Sequence, residues 1–135
     1  MLRELGVRLG IVLAPCVLRL LDARVNVDGF GNGPPPTIVE VFAHQGPMKP
    51  GQRHKVMADA LKLVAIGQHC FDSKARLVLA LASDQARSSL SGWRVEALEA
   101  LGVEVLVIEL ESALLEGIRT AQIRQRMTNV GRAKS

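Results

Sequence analysis

The stretch from Arg24 to Ala43, RVNVDGFGNGPPPTIVEVFA, decides how the rest of the chain is organised. Between Arg24 and Phe30, Val25 and Val27 alternate with Asn26 and Asp28, the period of two that marks a half-buried strand. Gly29 to Pro36, GFGNGPPP, is a loop by composition: its glycines permit turns, and successive prolines cannot pair in a ladder. Thr37 to Ala43, TIVEVFA, then places β-branched residues around one carboxylate and reads as a second strand. If the two strands pair as neighbours, Asp28 and Glu40 project from one sheet face close to each other.

Upstream, Cys16 to Leu21 is a further short strand, joined to Arg24–Phe30 by a tight turn at Asp22 and Ala23. Leu2 to Leu13 is predicted to be a helix with Leu5, Leu9 and Val12 on one face, stopped by Pro15. Downstream, Gln45 to Gly51 is a turn-rich connection. It leads into a helix from Gln52 to Ile66 with Val56, Ala60, Leu63 and Val64 on its apolar face. Gln52, Lys55, Asp59 and Lys62 occupy the opposite side, which periodicity by itself assigns to solvent. Arg76 to Ala82 and Val103 to Leu110 are nearly continuous apolar runs, as expected of strands buried on both faces. Between them Ser91 caps a helix from about Trp93 to Leu101, with Gly102 at its stop. Ser112 caps a last helix from Ala113 to about Gln125. One domain is expected over residues 1–127, followed by a basic tail over 128–135.

The 135 residues suffice for one core, and 48% of them are apolar, which argues against wholesale disorder. The only aromatic residues are Phe30, Phe42, Phe71 and Trp93, too few for the stacking platforms of single-strand-binding proteins. A net charge of +4 permits contact with a polyanion, and Arg119, Arg124, Arg126, Arg132 and Lys134 concentrate that charge near the C-terminus. Cys16 and Cys70 form neither a disulfide framework nor a zinc spacing, and their apolar neighbours suit free thiols in a reducing compartment. Leu9 to Leu21 is interrupted by Pro15 and Arg19, and no secretory leader is evident, so a cytoplasmic protein outside the membrane is expected. Gly29, Gly31 and Gly33 are followed by prolines where a dinucleotide fingerprint needs a helix.

The acidic pair carries the chemistry. Two nearby carboxylates repel, which raises a pKa unless a cation lies between them. Their oxygens suit Mg²⁺, which can lower the pKa of a bound water and stabilise charge on a phosphodiester. A helix, a strand ending in Asp, a loop, a strand carrying Glu, a helix and a further strand together resemble the restriction-endonuclease-like, or PD-(D/E)XK, core. More specifically, Ile38 to Leu63, IVEVFAHQGPMKPGQRHKVMADALKL, resembles a set of small uncharacterised bacterial proteins placed in that superfamily. The similarity continues through Arg76–Ala82 and Gly102–Leu110 and so covers most of the chain.

The resemblance implies an α/β fold: a restriction-endonuclease-like core with a mixed central sheet of about five strands flanked by helices. It assigns Asp28, Glu40 and the backbone carbonyl of Val41 to a Mg²⁺ or Mn²⁺ ion. The superfamily's lysine stands two residues after the acid, where this chain has Phe42. A cation is then expected from elsewhere: Lys55 on the following helix with Gln52 beside it, His44 on the strand, or Lys49 in the loop. Glu4 of the first helix is a more distant acidic candidate, while His54 and His69 look structural. The implied function is a metal-dependent nuclease acting on DNA phosphodiesters. The alternative is a catalytically inactive nuclease fold that binds DNA or a protein; a small-ligand-binding α/β domain is a third class, resting on fold alone. A homodimer or a protein partner is the expected source of specificity in so short a chain.

Overall fold

A computed structural model describes residues 1–109; the helix expected over Ala113–Gln125 and the basic tail expected over 128–135 lie outside the described residues. The elements are α1 (Leu2–Leu9), β1 (Ala14–Leu20), β2 (Ala23–Gly31), β3 (Thr37–Phe42), α2 (Pro50–Phe71), β4 (Arg76–Leu81), α3 (Asp84–Ser88), α4 (Trp93–Ala100) and β5 (Val103–Val107). The five strands lie in the order β1-β2-β3-β4-β5. β1, β2 and β3 are antiparallel neighbours, whereas β3, β4 and β5 run parallel. The sheet is therefore mixed, with β3 as the seam between the two halves.

Crossovers between parallel neighbours are right-handed, so two crossovers stepping in one direction place their helices on one face. Accordingly Leu63 and Ile66 of α2, Ala86 of α3, Leu90 of the α3–α4 connection and Leu98 of α4 share a core cluster with Ile38, Leu77, Leu79, Leu81 and Val103 of the sheet. The opposite face holds a smaller cluster of Leu5 from α1 with Val39, Val78, Ala80 and Ile108. β4 contributes to both clusters, which explains why its sequence is apolar without alternation.

Several boundaries depart from expectation. α1 ends at Leu9 because Gly10 adopts the left-handed conformation (φ 73°) and closes the helix with bonds to the Gly6 and Val7 carbonyls. Pro15 is not the stop: it lies inside β1, a terminal strand where a missing N–H is tolerated. Val12 consequently leaves the helix face and is 88% exposed. α2 is longer than its apolar periodicity indicated. It begins at Pro50, whose fixed φ suits a first turn, and continues to Phe71, which stacks on Phe30 at 5.8 Å. The short α3, capped by Ser83 Oγ accepting from the Ala86 N–H, was not expected. β5 stops at Val107, whose carbonyl accepts a 2.8 Å bond from Arg8 Nη1. Among the described residues no helix is long and apolar enough to cross a membrane.

The segment after α1 returns tightly over β2, and this approach needs glycine. A Cβ on Gly31 would stand 2.7 Å from the Val12 carbonyl oxygen, a backbone atom that cannot rotate away. Gly31→Ala is expected to lower the unfolding free energy by roughly 1–3 kcal/mol in chemical denaturation, the usual cost of overpacking.

Candidate metal centre where β2 and β3 part

Register decides which side chains meet. Along β1, Ala14 is opposite Phe30 but Cys16 is opposite Val27, so two residues of β1 span three of β2. β2 therefore carries one extra residue, a bulge. On the β3 side Gly29 pairs with Val39 and Phe30 with Ile38, a register that, continued by one step, sets Asp28 opposite Glu40. Val25, Val27 and Phe30 all pack into the cluster beneath α2. Strict alternation from Val27 would turn Asp28 to the α1 face. The extra residue resets the phase, so Asp28 shares the α2 face with Phe30 and Glu40, as bulges beside functional sites commonly re-aim a side chain.

The β2–β3 ladder ends there. The Val41 N–H donates to Asp28 Oδ2 at 2.8 Å in place of a main-chain acceptor. A strand residue's N–H and C=O point to the same side, so the Val41 carbonyl is directed toward the Asp28 side as well. Phe42 alternates with it, its carbonyl accepting from the Ala82 N–H beyond β4. Two carboxylates and a backbone carbonyl thus converge where the strands separate.

Glu40 is only 3% exposed although its side chain is ionisable. Lys62, from the fourth turn of α2, forms an ion pair with Glu40 Oε1, and its ammonium also donates to the Asn26 carbonyl at 2.8 Å. Beyond that ion pair Glu40 Oε1 accepts no hydrogen bond among the described residues. Burial pushes the Glu40 carboxyl up from its ordinary 4.5 to about 7; neighbouring Asp28 pushes the same way, and Lys62 opposes both. Asp28 itself lies at the exposed rim. A buried, under-bonded carboxylate beside a second one is the donor chemistry a hard divalent cation satisfies. Among the described residues no three His, Cys, Asp or Glu side chains gather around one point, so the acidic donors here are Asp28 and Glu40.

The other expected residues fall elsewhere. Lys55 is 71% exposed and pairs with Asp59 Oδ2 at 3.2 Å, one turn along its own helix. Gln52 faces the start of α2, where its Oε1 accepts from the Lys49 N–H at 2.8 Å. Lys49 caps that helix from the outside. His44 leans on Phe42, their rings 5.8 Å apart and tilted. Glu4 meets the chain's amino terminus at 2.9 Å. Phe42 packs partly buried against the α2-side core. The cation that reaches Glu40 is Lys62, which lies seven residues after Lys55 on the same helical stripe. That stripe was legible in the sequence; the turn from which a side chain reaches the strand was not.

The raised Glu40 value gives the metal-free protein a defined pH dependence. Between about pH 4.5 and 7 the folded state holds a proton that the unfolded chain releases, so stability falls as pH rises through that window. The loss totals on the order of 2–3 kcal/mol. Urea denaturation near pH 5 and near pH 8 should show this loss in the wild type and not in Glu40→Gln; parallel pH dependences would mean that Glu40 stays ionised throughout. No protein-family model, curated protein or solved structure matches this chain, and the chemistry of the site rests on its own residues.

Proposed function

We propose that the chain is a metal-dependent phosphodiester hydrolase built on a restriction-endonuclease-like core and acting on DNA. The observation that carries this proposal is the meeting of Asp28, buried Glu40 and Lys62 where β2 and β3 part. The order α1-β1-β2-β3-α2-β4, with antiparallel strands giving way to a parallel one at β3, supports the same core.

Asp28, Glu40 and the Val41 carbonyl would hold Mg²⁺ or Mn²⁺. Such an ion supplies an activated water and a Lewis acid for the scissile phosphate. Lys62 takes the part of the cation that Phe42 cannot supply: it reaches the same carboxylate from α2 and offsets negative charge developing on the phosphate. Glu40, shielded from bulk water, holds its charge against the ion. The beginning of α2 favours a polyanion. Lys49 stands at its N-cap, Arg53 and His54 lie within its first two turns, the first turn has no acid, and the helix dipole adds positive potential. Phe42 in the lysine position favours the second class, a fold that binds nucleic acid without cutting it.

Cleavage of duplex and single-stranded DNA with Mn²⁺ separates the two. Glu40→Gln should abolish cleavage, Lys62→Gln should slow it about 10²–10³-fold, and Lys55→Gln should leave it within a few-fold. Undiminished cleavage by Glu40→Gln rules out the mechanism. DNA binding without cleavage by the wild type assigns the chain to the non-cutting class.

A further inference from the structure

We propose that Lys62 is the resident counter-cation of the acidic site and that it gives up Glu40 when a divalent cation binds. The proposal rests on the metal-binding role assigned above and concerns what holds the site before the ion arrives. Glu40 is almost wholly removed from water, and among the described residues its Oε1 has no partner except the Lys62 ammonium. That ammonium touches one carboxylate oxygen and one backbone carbonyl, Asn26 O at 2.8 Å. These are the hard oxygen donors a magnesium-like ion takes. An ammonium and a dication cannot share one carboxylate oxygen without strong repulsion, so occupancy by one excludes the other there.

Lys62 is suited to such an exchange. Its side chain is 26% exposed and its four-carbon stem is flexible, and Asp28 beside Glu40 lies at the exposed rim. Lys55 offers the internal contrast. It lies on the same helix stripe, but its side chain is 71% exposed and its partner is Asp59, one turn along the same helix, not Glu40. Loss of Lys55 therefore alters net charge by the same amount without touching the site. Once released, the Lys62 ammonium remains beside the carboxylates, free to take a phosphate oxygen. One side chain thus neutralises Glu40 in the resting protein and serves the substrate in the loaded one.

Two measurements without DNA test the exchange. In the wild type, acetylation by acetic anhydride read by mass spectrometry should modify Lys62 slowly in metal-free buffer and severalfold faster with saturating Mn²⁺, while Lys55 reacts equally in both. In calorimetric titrations Lys62→Gln should bind Mn²⁺ about tenfold more tightly than the wild type. Lys55→Gln should bind within about twofold of the wild type, which removes net charge as the cause. The labelling arm needs no variant and stands if Lys62→Gln does not fold. Mn²⁺ that binds the wild type without changing Lys62 labelling, or that binds Lys62→Gln no better, overturns the exchange and leaves the metal site intact. Failure of Mn²⁺ to bind either protein overturns both.

Discussion

A carboxylate in the middle of β3 has to be neutralised from the helix layer, because the sheet offers it nothing. β3 is paired on both sides and Glu40 is turned into the interior beneath α2. Lys62 meets this need and at the same time binds the Asn26 carbonyl of β2, so one ammonium ties α2 to two strands. Buried ion pairs add little net stability, since the cost of desolvating two charges offsets most of their attraction. Apolar residues of similar volume would hold α2 to β3 at least as well. The pair's consequence is chemical: it keeps a carboxyl group under cover beside Asp28.

The bulge in β2 is the second constraint, and it acts on the first. Without the extra residue between Val27 and Phe30, Asp28 would turn to the α1 face and Glu40 would have no acidic neighbour. The β2–β3 ladder ends beside the bulge, and the Val41 N–H goes to the Asp28 carboxylate. A local irregularity therefore brings together a carboxylate at the exposed rim, Asp28, and one beneath α2, Glu40. The glycines of β2 allow the segment after α1 to close over the other face of the same strand.

Much of this arrangement was legible in the chain. The strand, loop, strand pattern from Arg24 to Ala43 exposed the acidic pair, and the apolar runs at Arg76–Ala82 and Val103–Leu110 marked the buried strands. Lys55 illustrates the limit. Helical periodicity assigns Gln52, Lys55, Asp59 and Lys62 to one stripe but says nothing about which turn lies over Glu40. That depends on the path of residues 43–49 and on how α2 crosses the sheet. Gly10 and Pro15 show the same limit at shorter range, because a proline compatible with a terminal strand need not end a helix.

The sequence by itself determined the alternation of strands and helices and the placing of two carboxylates on consecutive strands; strand order and direction were not written in it. Only the tertiary structure decided that Asp28 shares a face with Glu40 and that Lys62, not Lys55, completes the cluster. The physical reason is that periodicity records which side of its own element a residue occupies. The phase of one element against another is set by long-range hydrogen-bond register and packing, and a single inserted residue or one helical turn changes it.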